Sequence, residues 1–210
     1  MQKDEREKGK LSFIQEARRE QIIQAAIETL GEIGYVKASL SKIAKKAGIS
    51  TALISYHFRD KEDLMYHVLM KLMGDLSAYV LERVHKKTTP LDQLHAFIEA
   101  SLAYQGTHQQ KNVALIEIIF NGRTPDHIPY YLLGDSEEDP LLKELRNILR
   151  EGQKEGVFGD FHLDVMVHVI QGSIGEYMLD SGLMQKVDLE TYSRELIRIL
   201  DQTVKAGGED

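Results

Sequence analysis

The stretch from Ser39 to Phe58, SLSKIAKKAGISTALISYHF, constrains this chain more than any other. Read at helical period it predicts two short helices joined by a sharp corner. The first runs from about Leu40 to Ala47, with Leu40, Ile43, Ala44 and Ala47 on one face. Ser39 can cap it, because a hydroxyl can accept from the unpaired amides of a first helical turn. The corner falls at Gly48, where a left-handed backbone meets little steric cost. Ser50 can cap the second helix, and Leu53, Ile54 and Phe58 supply its inward face. Ala44 is small where the helices must cross, Gly48 turns the chain four residues later, and Ile54 plugs the seam. That is the layout of a helix-turn-helix, whose second helix lies in the DNA major groove.

Charge supports this reading only when its distribution is considered. The 210 residues carry a net charge of −7, which by itself disfavours a nucleic-acid partner. Between Ala17 and Lys61, however, eight Lys/Arg face four Asp/Glu, so that segment is +4 and the remainder −11. Such asymmetry draws an anionic polymer to one end of the molecule. Few runs alternate at period two and only four prolines occur, which predicts an all-α chain. With no cysteine, disulfides and thiol chemistry are excluded. No apolar run approaches the ~20 residues needed to span a bilayer, and MQKDEREKGK has no apolar signal-peptide core. The expected location is the cytoplasm, with no membrane partner.

The segment GEIGYVKASLSKIAKKAGISTALISYHFRDKEDLMYHVL resembles the DNA-binding domain of the tetracycline-repressor (TetR) family of transcriptional regulators. The likeness covers roughly residues 16 to 69. Gly34-Tyr35, Ser39 where that family usually has threonine, Ile43-Ala44, Ala47-Gly48-Ile49-Ser50, Tyr56-His57-Phe58 and Lys61-Glu62-Asp63-Leu64 all fall in register. One departure is Ser55, where many relatives carry an aromatic. The base-reading face is smaller here, and the operator does not transfer by analogy.

The roles of individual residues follow from the geometry of such a motif. Ser50, Thr51, Ala52 and Ser55 occupy the N-terminal half of the second helix, where base edges are reached. Tyr56 and His57 lie where a hydroxyl or an imidazole reaches phosphate oxygens. Lys61 opens the following helix after Asp60, so its ammonium and the free amides there can bind one phosphate. Ser39 and the basic flank, Arg18 and Lys46 among it, complete the expected DNA-facing set. The lysines at 42, 45 and 46 can equally be solvated surface.

Around this motif the chain divides into an expected helix-turn-helix domain at 12–62 and a helical ligand-binding and dimerisation domain at 63–207. About nine helices are expected in all. A mixed-charge tail to about residue 12 reads as disordered, since it has almost nothing to bury. A helix from about Phe13 to Ile33 then completes a three-helix core, its stripe being Ile22, Ile23, Ala26, Ile27, Leu30 and Ile33. A long helix from Leu64 to about Lys86 joins head to body, and five more follow at about 90–106, 109–121, 139–155, 161–181 and 188–206. A polar connector occupies 122–139.

In regulators of the resembled type the last two helices pack against a second subunit. The material for this is Val165, Val169, Ile174 and Met178, then Leu189, Tyr192, Leu196 and Ile199, with Gly172, Ser173 and Gly175 permitting close approach. A homodimer is also expected because one recognition helix buries little surface and needs a second, palindromic half-site. Glu117 and Glu176 stand inside apolar runs, and a buried carboxylate needs a partner or a proton. Each faces solvent, pairs with an arginine such as Arg123 or Arg198, or lines a ligand pocket with Phe97, Tyr104, Phe120 and Tyr177. The scattered histidines have no i, i+4 pair, so no metal site is expected. No nucleophile elbow, P-loop or dinucleotide motif is present, and neither cofactor nor enzymatic activity is expected. The reading is a DNA-binding transcriptional repressor released from its operator by an unidentified small lipophilic inducer. Its alternative is an all-helical enzyme or small-molecule carrier whose N-terminal hairpin is purely structural.

Overall fold

The computed structural model describes residues 2–124, 126–133 and 139–205, with side chains from Phe13 onward. Ten α-helices order the described chain: α1 (Gln2–Lys37), α2 (Leu40–Ala47), α3 (Thr51–His57), α4 (Lys61–Val84), α5 (Pro90–Thr107), α6 (Gln109–Asn121), α7 (Pro140–Lys154), α8 (Leu163–Leu179), α9 (Ser181–Lys186) and α10 (Leu189–Val204). A 3₁₀ turn spans Tyr130–Leu132, and the described residues contain two isolated bridges but no strand. The chain forms two compact units, Met1–Leu72 with Gln110–Gly134, and Met73–Gln109 with Asp135–Asp210.

In the first unit the sequence pattern translates directly into geometry. Ser39 caps α2, its hydroxyl accepting from the Lys42 amide at 3.4 Å, and Ser50 caps α3 by accepting from Leu53 at 3.2 Å. Gly48 closes α2 in the left-handed region at φ 67°, and its amide donates back to the end of the helix. Ile43, Ala44, Ile54 and Phe58 are buried, as are Ile22, Ala26, Ile27 and Leu30 of α1. The helical ladder of α1 is interrupted at Gly34, φ 73° and ψ 167°, before the last turn.

Three elements differ from the sequence reading. Helix α1 begins at Gln2, not near Phe13: the sequence there holds neither proline nor a β-branched residue to oppose a helix. A tail with almost nothing to bury can thus extend a helix whose nucleation the rest of α1 already supplies. Helix α9 was not expected. Asp180 ends α8 and at once caps α9, its carboxylate accepting from Gly182 and Leu183. The polar connector holds the 3₁₀ turn, while its residues 125 and 134–138 lie outside the described ones, as does residue 206 of the last expected helix.

The second unit is built around α5. Leu94, Phe97, Ile98, Ala100, Leu102 and Tyr104 are all buried, so the helix is apolar around most of its circumference and is enclosed. It packs against α7, α8 and α10. Thr89 caps it with Pro90 in the first turn, where the missing N–H costs nothing. Helix α7 shows a clean amphipathic stripe, Leu141, Leu142, Leu145, Ile148, Leu149 and Gly152, which faces this core.

Gly152 sets the limit of closeness there. A Cβ at this position would fall on the Phe158 ring, with Cγ 2.7 Å away, and Phe158 is itself buried in the core. Gly152→Ala is therefore expected to destabilise the protein by about 1–3 kcal/mol through overpacking. Urea unfolding measures this, and an unchanged midpoint would mean that the ring has room to yield.

Candidate nucleic-acid interface

Helix α3 exposes Thr51, Ala52, Ser55 and Tyr56, preceded by exposed Ser50. Positions 51, 52, 55 and 56 share one face at spacings of four and five, opposite buried Ile54 and Phe58. Tyr56 is 71% exposed, and its ring meets the His57 ring edge-on at 5.0 Å. Burial, and secondarily the Arg19 guanidinium, hold His57 below the usual imidazole range, so at neutral pH it offers an uncharged ring.

The head is held from behind by polar side chains of α1. Arg19 Nη1 donates to the His57 carbonyl at 2.8 Å, with its guanidinium 4.5 Å from the Phe58 ring centroid. Gln21 Nε2 donates to the Ala47 carbonyl at 2.8 Å. Both satisfy carbonyls that a helix end leaves without partners. Sequence reasoning assigned neither role: Arg19 counted only as basic flank, and such clamps span 38 and 26 residues.

The remaining basic candidates divide. Arg18 is exposed and bonds Gln21 at 2.7 Å. Lys46 is committed to Glu32, and lies 3.7 Å from Glu28, so its charge is shared with acids of α1. Ser39 uses its hydroxyl oxygen as acceptor in the α2 cap, which leaves the O–H to donate. Lys61, expected at a phosphate, instead donates to the Tyr35 carbonyl at 2.7 Å and sits 4.2 Å from that ring's centroid. Burial lowers its pKa, against the pull of Glu62. Its ammonium braces the start of α4 against the turn that follows Gly34.

Tyr35 is held at both backbone poles, for its amide donates to Glu117 Oε2 of α6 at 2.7 Å. Asn121 donates to the same oxygen at 3.3 Å. Glu117 is thus neither an unpaired buried acid nor an arginine partner. Gly34 allows the approach, since a Cβ there would stand 3.2 Å from that carboxylate. Of the other residues expected at a ligand pocket, Phe120 and Glu176 are exposed, while Phe97 and Tyr177 are buried in the second unit's core and Tyr104 is buried against Tyr79 and His108. Phe120 stacks on Tyr131, and Tyr177 donates to the Val187 carbonyl at 3.1 Å. The stripe that placed Glu176 among apolar residues marks the opposite side of α8.

Two adjoining clefts do open in the second unit. One, of about 590 Å³, has Leu102, Ala103, Leu189 and Ile197 for its apolar wall. The other, of about 350 Å³, shares Glu99 and Ala103 with it and carries Arg83, Lys86 and Lys87.

The expected dimer residues also divide. Val165 is 61%, Val169 48% and Ile199 52% exposed, whereas Ile174 and Leu196 are buried in the chain's own core. Met178, Leu189 and Tyr192 are half-buried, and the Tyr192 hydroxyl donates to the Ser173 carbonyl at 2.6 Å. Added Cβ atoms at Gly172 and Gly175 would meet nothing within 4 Å. A stripe of apolar residues at helical period serves two faces at once, and only three-dimensional packing separates them.

Among the described residues no group of three or more His, Asp or Glu is placed to hold a metal ion, and no helix is long and apolar enough to cross a membrane.

Residues 22–68 match the family described as bacterial regulatory proteins, tetR family. The chain is 30% identical over 185 residues to the fatty acid metabolism regulator protein of Bacillus subtilis, an alignment covering 86% of this chain and 92% of that one. It is 34% identical over 89 residues to the transcriptional regulator BetI of Stenotrophomonas maltophilia, covering 42% of this chain but only 45% of BetI. Its fold is similar to that of the transcriptional regulator FadR from Bacillus subtilis, solved in complex with stearoyl-CoA, with a TM-score of 0.69 at 24% identity over 86% of this chain and 96% of that one. With a capped helix-turn-helix and relatives that are regulators and not enzymes, the chain belongs to the TetR family of bacterial transcriptional regulators.

Proposed function

We propose that the protein is a homodimeric repressor whose two α3 helices read a palindromic operator and whose helical body, 63–207, takes up a long-chain acyl thioester that releases the DNA. The observation that carries the DNA half is the exposed polar face of α3, Ser50 to Tyr56, presented by two serine caps. Ser50, Thr51, Ala52 and Ser55 contact base edges, where hydroxyls discriminate by hydrogen bonding and the alanine and threonine methyls suit thymine. Tyr56, His57, Ser39 and Arg18 meet phosphates, with Lys46 at the rim. Two such heads stand about one DNA turn apart, near ~35 Å. An effector preferring a wider separation weakens binding by its differential affinity for the two arrangements.

Support for the effector class is of two kinds. A relative 30% identical over most of its length is named for fatty acid metabolism, and a solved fold relative holds stearoyl-CoA. The adjoining clefts of the second unit place an apolar wall beside Arg83, Lys86 and Lys87, complementary to an apolar chain with an anionic head.

Fluorescence anisotropy with duplex DNA from the region upstream of its own coding sequence tests both halves. Specific binding is expected to fall steeply with salt, as phosphate neutralisation requires. Thr51→Ala with Ser55→Ala is expected to shift sequence preference, and Tyr56→Phe to weaken all duplexes alike. Stearoyl-CoA is expected to release the duplex while free CoA does not. Preference unchanged after Ser50, Thr51 and Ser55 are altered together would overturn the base-reading assignment, and equal effects of stearoyl-CoA and CoA the effector.

A further inference from the structure

The first unit contains a cleft of about 800 Å³ that neither the DNA face nor the acyl effector uses. Its walls are the start of α4, the turn at Tyr35 and the segment after α6. From this lining we propose a second ligand site, selective for a small organic cation, formed by Tyr35, Tyr66 and Tyr130 around the carboxylate of Glu62.

The charged groups of the cleft show why a cation is selected. Arg59 is paired with Asp63 across 3.9 Å, and Arg123 donates to the His127 carbonyl at 2.9 Å. Asp60 accepts from the Asp63 amide at 2.8 Å and Asp63 from the Arg59 amide at 2.9 Å, so both acids serve the start of α4. Among the described residues Glu62, which is exposed at the cleft, alone of the three lining acids has neither hydrogen bond nor ion pair, so its carboxylate is open to a ligand. The lining holds three acids, two arginines and two histidines, and the Lys61 ammonium is committed to the Tyr35 carbonyl and ring.

The phenols are in the same position. Among the described residues no hydrogen bond reaches the hydroxyls of Tyr35, Tyr66 or Tyr130, although Tyr35 is only 9% exposed. On a side chain as enclosed as Tyr35, a hydroxyl without a protein partner marks a place for a ligand or water in the cleft. Burial, with the Glu62 charge second, pushes the Tyr35 phenol up to about 12. Tyr130 is raised by burial first and then by the neighbouring Tyr66 and Glu62. Burial above all keeps both phenols neutral, and the Glu62 charge beside them is what attracts a cation. Tyrosine faces add a quadrupole of the same sign. One face already does this: the Lys61 ammonium lies 4.2 Å from the Tyr35 centroid, leaving Tyr66 and Tyr130 for an incoming cation.

Isothermal titration of the full-length protein with benzyltrimethylammonium tests the site, with benzyl alcohol as neutral and inorganic phosphate as anionic comparator. Saturable binding of the ammonium alone is expected, weakened about tenfold or more by Glu62→Gln and several-fold by Tyr130→Leu. Tyr66→Leu, at an exposed position that the core does not need, is expected to weaken it likewise with unchanged circular dichroism. Equal affinity in wild type and Glu62→Gln, equal uptake of benzyl alcohol, preferential binding of phosphate, or no uptake at millimolar ammonium each overturns the proposal. None of these outcomes bears on operator binding or on release by an acyl thioester, which are measured separately.

Discussion

With Val165 and Val169 both replaced by lysine, the protein is expected to sediment as a monomer and to lose specific operator binding. The two valines lie four apart on α8, 61% and 48% exposed, beside open positions at Gly172 and Gly175. An exposed apolar face of this kind is stable in water mainly when another surface covers it. Lysine at both positions leaves the monomer core intact, because Met166, Val167 and Ile170 carry the inward side of the same helix. It places like charges across a two-fold axis, where each patch meets its own copy. A lone head keeps the non-specific contacts but loses the second half-site, so affinity for the operator is expected to fall by roughly 10³-fold or more. Analytical ultracentrifugation and anisotropy together decide the matter. A double variant that remains dimeric and binds as before would move the interface away from α8.

The second large effect is expected from Ile54→Ala. Ile54 is fully buried in the seam between α2 and α3, where Ala44 is too small to fill the space left behind. Truncation removes the transfer energy and creates a cavity, together about 2–5 kcal/mol, against a total stability of about 5–15 kcal/mol. The recognition face itself, Thr51, Ala52, Ser55 and Tyr56, keeps every side chain, so lost DNA affinity would trace to the position of α3. Thermal denaturation and operator titration are expected to fall together. Normal stability with normal binding would show that the seam does not hold the reading head.

Helix-turn-helix geometry was legible because every part of it is local. Ser39, Gly48, Ser50 and Ile54 act within a few residues of one another, and caps, corner and plug each need one residue type. The enclosed helix α5 was expected at about 90–106 and is found at Pro90–Thr107, its Thr89 cap being supplied by the structure. Glu117 shows where such reading stops. Its neighbours in the chain, Ile116 and Ile118, announce an apolar environment, but its partner is the Tyr35 amide 82 residues away. Lys61 is a second case: its position after Asp60 suited a phosphate, while the fold brought the Tyr35 carbonyl within 2.7 Å. The stripe on α8 is a third, since valines of both faces recur at helical period and nothing in the chain says which side a partner takes.

From the sequence alone came the all-α class, the two caps, the left-handed corner, and the family to which the head belongs, because hydrogen bonding within a turn and burial at fixed spacing depend on neighbours in the chain. Tertiary structure alone decided which carboxylate is satisfied, which cation is already spent, and which of the apolar residues remain outside. Those depend on distances between residues tens of positions apart, and chain entropy lets no local pattern encode them.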